Sequence, residues 1–273
     1  MSRPVFVSWG GGVNSTALIV EAARRGERID GIAFADTGSE MPRTYAYLET
    51  FRAWLATHGL TLEVVRWVRR EGEWAGRFVS LHEACLARGE LPSRAYGLSG
   101  CTSKYKQQPL DAWVRARCPS AECERWIGYD AGEPRRVAHL TARNDNWRQG
   151  QLFGASRSAS PQIWRAPLAE WGIGRAQCDE ILKAAGLPSP GKSSCFICPS
   201  LRPAEVRGLD SDQLRIALEV ERRGVEEARA VRGLGRNWSW SELVSGTGQP
   251  TLDLYTPEPC GACVDDSNER EEP

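Results

Sequence analysis

A run of three glycines near the start of the chain is placed where it could hold a phosphate. Gly10-Gly11-Gly12 follows an apolar segment, residues 4–9, and precedes a helical pattern at 16–23. Consecutive glycines let a backbone approach a ligand closely, and a helix start offers free N–H groups and a positive dipole end. The loop lacks a closing Gly-Lys-Ser/Thr and does not read Gly-x-Gly-x-x-Gly. The sequence therefore predicts a nucleotide site of another kind.

Cysteines at metal-binding spacing form the second group. Of the nine cysteines, Cys195 and Cys198 form one Cys-x-x-Cys, and Cys260 and Cys263 form another. Two thiolates at this spacing can bind one metal, and structural disulfides are not expected in a reducing compartment. An iron–sulfur cluster, with a structural zinc site made by the two pairs together as the alternative, is favoured over the absence of a metal.

Cys101 is a candidate nucleophile as well as a candidate ligand. It stands at a predicted loop-to-helix junction, followed by Lys104 and Lys106. The helix start and the two lysines would favour its thiolate form. Lys192 lies three residues before Cys195, so three of the four lysines flank candidate ligands. This placement suits an anionic cluster or an anionic substrate.

The elements that must position these residues alternate as β-α-β-α-β. Strands are predicted to residue 9, at 29–35 and at 62–67, with a helix at 43–58. Such alternation indicates a parallel sheet with right-handed crossovers and a ligand at the carboxyl ends of the strands. The predicted fold is α/β, a doubly wound, mostly parallel sheet with a helical, cysteine-containing C-terminal part. Residues 143–161 are polar and are predicted to form a surface loop.

Length and composition set further expectations. We expect a nucleotide-binding domain at 1–200, a helical extension at 201–264 and a disordered tail at 265–273. The 35 basic residues balance the 35 acidic ones, so no overall field favours nucleic acid. No signal peptide and no apolar run of membrane-spanning length are present, so a cytoplasmic protein without a membrane partner is expected.

Five segments resemble one superfamily. Residues 10–15 resemble the PP-loop, Ser-Gly-Gly-x-Asp-Ser, of N-type ATP pyrophosphatases and PAPS reductases, with Gly10 in place of the Ser and Asn14 in place of the Asp. Residues 36–45 resemble Asp-Thr-Gly-x-x-x-Pro-Glu-Thr-Tyr of the reductases. Residues 127–136, 165–171 and 190–199 resemble further segments of that group. The likeness covers about 5–199 and is closest to the PAPS reductase-like proteins of phages and mobile elements.

The resemblance implies the adenine nucleotide α-hydrolase type of fold and a set of site residues. Asp36 would bind Mg²⁺ or the ribose, and Cys101 and Lys104 would join it as catalytic residues. A [4Fe-4S] cluster would be held by Cys101, Cys195 and Cys198, with Cys260 or Cys263 as fourth ligand or with none. The nucleotide would contact Ser8, Gly10, Gly11, Gly12, Asn14, Ser15, Asp36, Thr37, Gly38, Gly128, Arg135, Arg136 and Lys192.

The resemblance implies three functions. The first is an ATP-dependent enzyme that adenylates a substrate, releases pyrophosphate and transfers sulfur through the metal centre, using a sulfur donor. The second is a PAPS or APS reductase with a thioredoxin-like reductant, for which residues 258–261, Glu-Pro-Cys-Gly, resemble part of the Glu-Cys-Gly-x-His motif. The third is a non-catalytic nucleotide-binding regulator with a structural zinc. The acceptor, nucleic acid or small molecule, is open in each.

Overall fold

The computed structural model describes residues 2–69, 71, 75–92, 94–95, 98–119, 122–152, 162–227 and 231–246. The strands are β1 (Val5–Ser8), β2 (Gly31–Asp36), β3 (Leu62–Arg66), β4 (Arg94–Ala95), β5 (Leu98–Ser99), β6 (Cys123–Trp126) and β7 (Gln162–Arg165). The helices are α1 (Val13–Arg24), α2 (Pro42–Thr57), α3 (Leu81–Arg88), α4 (Gly100–Thr102), α5 (Gln108–Arg117), α6 (Pro134–Leu152), α7 (Pro167–Glu170), α8 (Arg175–Ala184), α9 (Pro203–Arg207), α10 (Ser211–Glu227) and α11 (Trp240–Ser245), with a π-helical turn, Ser103–Gln107, between α4 and α5.

The main sheet has five parallel strands in the order β3-β2-β1-β6-β7. On the central strand, Phe6 lies opposite Gly31 of β2 on one side and Arg125 of β6 on the other. Helices cover both faces, so the predicted doubly wound α/β fold is confirmed. The strand order reverses between β1 and β6, and their carboxyl ends open a crevice of the kind where such folds bind ligands.

The two faces of the sheet bury different parts of the same strands. Val7 and Trp9 face the side of α1, α2 and α8, where Leu18, Phe51 and Leu182 complete the larger core. Phe6 faces α5 and meets the Trp113 ring edge-on, with ring centroids 5.4 Å apart. Alternate residues of a strand point to opposite faces, and apolar residues on both faces are typical of a parallel sheet covered on both sides.

The prediction of a loop at 143–161 is wrong over its first ten residues, because α6 continues to Leu152. Asn144 explains why this polar segment is helical. Its Nδ2 donates to the Trp164 carbonyl at 2.8 Å, and its Oδ1 accepts from the Trp164 N–H at 2.9 Å. The amide thus pairs with backbone groups at the edge of β7, as a neighbouring strand would. Such tertiary contacts outweigh the low helix propensity of the segment.

Helices α3, α9, α10 and α11 gather around a second core with the residues that follow β2. Met41, Tyr105, Cys195 and Phe196 belong to this core, together with residues of α10. Beyond residue 200, the regular elements of the described residues are the helices α9, α10 and α11. None of the described helices is both long enough and apolar enough to cross a membrane. The division into three parts stays a prediction, and its tail lies outside the described residues.

Candidate nucleotide and thiol site

The glycine loop between β1 and α1 is held by its own side chains. Ser15 Oγ accepts a hydrogen bond from the Gly10 N–H and donates one to the Gly12 carbonyl, both at 3.1 Å. Gly11 has a φ of +79°, a torsion that favours glycine. Gly12 caps α1 without a side-chain hydrogen bond. The loop thus presents backbone, and Ser15, a predicted nucleotide contact, serves the loop itself.

The loop after β6 closes on the start of α1. A Cβ built on Gly128 would lie 2.7 Å from the Ser15 nitrogen and 2.7 Å from the Ser15 Cα. Only glycine permits so close an approach of two backbones. The structure therefore brings two predicted nucleotide contacts from distant segments, Gly128 and the glycine loop, to one edge of the sheet. Ser8, another predicted contact, ends β1 there and accepts a hydrogen bond from Arg125.

Asn14, the predicted loop contact that stands in place of an aspartate, is buried in a network of side chains. Its Nδ2 donates to Asp130 Oδ2 at 2.7 Å and, at 3.4 Å, to Glu133 Oε2. Its Oδ1 accepts from Arg175 at 3.0 Å. We call Asn14, Asp130, Glu133 and Arg175 the switch-point network. The side chain joins α1 to the loop after β6 and to α8, and neither motif nor spacing predicts these hydrogen bonds.

Asp36, predicted to hold Mg²⁺ or the ribose, is buried and already has three donors. The Gly38 N–H and the Tyr45 hydroxyl bind Oδ1 at 2.8 and 2.7 Å, and Arg66 Nε binds Oδ2 at 2.8 Å. Burial, aided by the contact with Asp36, raises the pKa of Tyr45. These bonds fix the turn that contains Thr37 and Gly38, both predicted nucleotide contacts. Because Oδ1 has two donors and Oδ2 has one, only Oδ2 has a lone pair left for a cation.

The glycine loop also touches the start of α2 and the segment before Cys195. A Cβ on Gly11 would lie 2.7 Å from Thr44 Cγ2 and 3.6 Å from Ser193 Cβ. Two residues after Ser193 comes Cys195. The loop is therefore connected to a predicted ligand cysteine through one short stretch of chain.

That stretch pairs with the turn after β2 in an antiparallel manner. The Met41 N–H donates to the Ser194 carbonyl at 2.9 Å, and Glu40 and Cys195 form an isolated β-bridge. The Phe196 N–H then donates to the Ser39 carbonyl at 2.9 Å. Backbone pairing of this kind fixes the position of Cys195 relative to the carboxyl end of β2.

The Cys195 thiol lies among polar groups inside the second core. Its Sγ is 3.2 Å from Thr37 Oγ1 and 3.5 Å from Glu40 Oε1, to which it donates. Burial, and secondly the charge of Glu40, raises the pKa of Cys195 well above that of a free thiol. The thiol form is the stable one as the structure stands.

Glu40 itself forms a buried ion pair that the sequence analysis did not predict. Lys106 Nζ lies 2.9 Å from Glu40 Oε1, with the glutamate side chain 0% and the lysine side chain 13% exposed. Thr37 Oγ1 donates to the same oxygen at 3.1 Å, and Oε2 is buried without a partner. We call Thr37, Glu40, Lys106 and Cys195 the thiol cluster. In the sequence, two features point to this cluster: Glu40 follows β2 closely, and Lys106 is one of four lysines.

Lys106 belongs to the π-helical turn, which also contains Lys104. π-Helical turns are rare and are often found at functional sites. Lys104, predicted to be catalytic beside Cys101, instead lies over the Trp67 ring, 4.1 Å from its centroid. Burial, with nearby Arg88, lowers the pKa of Lys104. The catalytic role of Lys104 stays a prediction.

Cys101 lies at the edge of the second core, close enough to Cys85 to affect it electrostatically. Burial raises the pKa of Cys85 to about 12, and Cys101 adds to the increase. The spacing of the cysteines predicts no role for Cys85. Cys260 and Cys263 lie outside the described residues.

The predicted cationic contacts are placed as follows. Lys192 Nζ binds Glu205 Oε2 at 3.1 Å, with both side chains 14% exposed. Arg136 pairs with Glu133 beside the switch-point network, and Arg135 is exposed at the start of α6. Arg136 and Lys192 are thus paired at the periphery of the site, and their role as phosphate contacts stays a prediction.

The predicted metal centre can be tested on the positions of its ligands. Among the described residues, no three Cys, His, Asp or Glu side chains are grouped so that they could hold a metal ion. Cys195 is bonded to Thr37 and Glu40, while Cys101 lies beside Cys85. Cys198 lies near Cys195, with its N–H donating to the Cys195 carbonyl at 3.1 Å. As placed, the three described candidate ligands Cys101, Cys195 and Cys198 do not form a ligand group for an iron–sulfur cluster or a zinc ion, and the centre stays a prediction.

Comparison with known proteins identifies no family for this chain. No family model matches the chain, and no curated protein matches its sequence. Among solved structures, the chain is similar to the U34-tRNA thiolase NcsA from Methanococcus maripaludis, solved with its [4Fe-4S] cluster. The two are 12% identical, and the match covers 96% of this chain and 80% of the other, with a TM-score of 0.39. At that score the likeness supports no conclusion about this chain.

Proposed function

We propose that the chain is an enzyme that binds ATP at the glycine loop, adenylates a substrate with release of pyrophosphate, and passes sulfur to it through a cysteine of the site. One observation carries the proposal. Three glycines precede α1, whose first turn has no side-chain cap, at the point where the strand order reverses. In open α/β sheets this is where phosphate-bearing ligands bind.

The surroundings of the loop support a nucleotide rather than a free phosphate. Besides the loop, the turn after β2 and Gly128 border the same crevice edge. A substrate oxygen would attack the α-phosphorus and pyrophosphate would leave. The backbone N–H groups of the loop and the positive end of the α1 dipole would meet the charge that develops on the phosphates. A cation bound to ATP would supply further neutralisation.

In the sulfur step, a donor of sulfane sulfur would convert a thiol near this crevice to a persulfide. The outer sulfur of the persulfide would attack the adenylated carbon and displace AMP. A reductant thiol would then break the S–S bond and leave the sulfur on the substrate. Cys195 is two residues from Ser193, which lies against Gly11. The described residues form no metal ligand group, so the proposal involves the thiol and derives no step through a metal. The acceptor of the sulfur is proposed only by class: a molecule with an oxygen that adenylation turns into a leaving group.

Calorimetry with ATP and Mg²⁺, followed by ATP–pyrophosphate exchange, tests the proposal on two matched variants. Gly11→Ala and Gly26→Ala each force an L-residue into a positive φ, +79° and +69° respectively. A Cβ at Gly26, at the other end of α1, meets nothing within 4 Å. We expect ATP binding to be lost in Gly11→Ala and retained in Gly26→Ala. Equal affinity in both variants, or no binding by the native chain, would contradict the proposal.

A second candidate function is the reduction of PAPS or APS. The observation in its favour is that Asp36 already has three donors, which leaves it little capacity to bind a cation. Attack at a sulfonate leaves the phosphates intact, so this reaction needs less neutralisation by a cation. A cysteine thiolate would attack the sulfonate sulfur, and the S–O bond to the nucleotide would break. A reductant thiol would then attack the cysteine sulfur and release sulfite. Sulfite release with a thioredoxin-like reductant, without pyrophosphate, would identify this reaction.

A further inference from the structure

The ion pair between Glu40 and Lys106 lies in an apolar core with Met41, Tyr105 and Phe196 around it. Removing two charges from water is costly, and an apolar pair of similar size often gives a protein equal or greater stability. Stability therefore does not explain why the charges are there. Among the groups that touch the pair is the thiol of Cys195, which lies 3.5 Å from Glu40 Oε1.

The contacts of Glu40 restrict the thiol to one place. Lys106 and Thr37 donate to Oε1 at 2.9 and 3.1 Å, and the Cys195 thiol donates to the same atom. The sulfur is thus held against the two ends of the turn that runs from Thr37 to Glu40, directly after β2. Since β2 is parallel to β1, this turn and the glycine loop lie at the same edge of the sheet.

The backbone links this thiol to the glycine loop. Ser193 Cβ would lie 3.6 Å from a Cβ built on Gly11, so the segment before Cys195 passes close to the loop. The β-bridge between Glu40 and Cys195 then fixes the position of Cys195. The structure places Cys101 at the edge of the second core, beside Cys85. We infer that Cys195, rather than Cys101, is the thiol that serves the nucleotide site, and that Glu40 and Lys106 are positioning residues that hold it there. The inference rests on the proposed function.

The S–H stretching band of Cys195 reports this contact directly. Subtracting the infrared spectrum of Cys195→Ser from that of the native protein isolates the band. Glu40→Gln replaces a charged acceptor by a weaker neutral one, so we expect an upward shift of the band. Glu21→Gln is the matched control, because Glu21 is also buried and paired, with Arg24 and Arg25, at the far end of α1. An unmoved band in Glu40→Gln would overturn the positioning role.

Thr37 provides a second pair of variants in case Glu40→Gln does not fold. Thr37→Val removes the hydroxyl 3.2 Å from the sulfur and keeps the shape, whereas Thr37→Ser keeps the hydroxyl. We expect the band to move in Thr37→Val and to stay in Thr37→Ser. If the Thr37 hydroxyl did not contact the thiol, the S–H band would lie at the same frequency in both variants. The same band in both variants counts against the inference.

Alkylation by iodoacetamide, read peptide by peptide in the mass spectrometer, decides between the two cysteines. We expect ATP to slow the labelling of Cys195 at least tenfold relative to Cys178, which is buried in the larger core. Protection of Cys101 alone would overturn the assignment. A native chain that binds no ATP would overturn the proposed function instead, and the infrared shift would still decide whether Glu40 positions the thiol.

Discussion

The switch-point network and the thiol cluster lie at the same edge of the sheet and handle buried charge in opposite ways. In the first, Asn14 uses both ends of its amide, and Asp130 is bonded by Asn14 and by the Gly132 N–H. In the second, one oxygen of Glu40 receives several donors and the other has none. A network with full satisfaction holds backbones in place, whereas an incomplete one stores a cost that packing must offset.

The two regions differ in what they hold in place. The switch-point network joins α1, the loop after β6 and α8, so its loss should loosen the glycine loop. The thiol cluster joins the turn after β2, the π-helical turn and the Cys195 segment, so its loss should affect one thiol and the second core. Variants in the two regions should therefore separate loop geometry from thiol geometry.

The largest expected effect follows from breaking the ion pair of the thiol cluster. Lys106→Met leaves the charge of Glu40 buried and uncompensated, which should cost about 3–5 kcal/mol of unfolding free energy. Urea unfolding at pH 7 measures this loss. The double variant Lys106→Met, Glu40→Leu removes both charges and should recover most of it. If the double variant is as unstable as the single one, the pair is not the cause.

The next largest effect is expected where Gly128, after β6, lies against the backbone of Ser15. Gly128→Ala places a Cβ 2.7 Å from the Ser15 backbone, where no flexible side chain can yield. We expect about 2–3 kcal/mol of destabilisation, as for other overpacked sites, together with loss of ATP binding. Gly208→Ala is the control, because its Cβ would meet nothing closer than 3.5 Å. A Gly128→Ala variant with native ATP affinity would show that the loop adapts.

The sequence was enough to predict the first of these regions in outline. Glycines, apolar runs and alternation predict β1, the loop and α1, because those features depend on local torsion and periodicity. Only the family resemblance predicts that Gly128 and Asp36 contact the same nucleotide. The partners of Asn14 could not be predicted, because Asp130 and Arg175 are more than 100 residues away and their side-chain directions depend on packing.

The thiol cluster was harder to predict for a similar reason. Cys195 stood out by its spacing to Cys198, and that spacing favours a metal. The structure adds Glu40, which the sequence marks only as an acid after a strand. A buried carboxylate is recognisable only once the chain has folded around it, since the same residue on a surface turn would carry no information.

A smaller effect is expected when the loop asparagine is made acidic. Asn14→Asp removes the donor to Asp130 and sets two carboxylates at about hydrogen-bond distance, with Glu133 nearby. We expect a loss of about 2 kcal/mol at pH 7, part of which Arg175 offsets, and a smaller loss near pH 4, where a shared proton relieves the repulsion. Asn237→Asp, at an exposed position, serves as the control in urea unfolding at both pH values. Equal losses at both would argue against charge repulsion.

The smallest effect concerns His82, which packs against Phe196 in the second core, with ring centroids 5.3 Å apart. Burial lowers the pKa of His82 below its ordinary value of 6.5. The unfolded chain therefore binds the proton first, and stability should fall as the pH drops below about 6.5 towards the lowered pKa. His82→Gln should flatten this part of the unfolding curve, whereas His139→Gln, at an exposed position of α6, should not. An NMR titration in which the imidazole of His82 takes up its proton above pH 6.5 would contradict the burial argument. In that case the hydroxyls of Ser39 and Ser80, at 2.9 and 3.1 Å from Nδ1, would favour the charged ring instead.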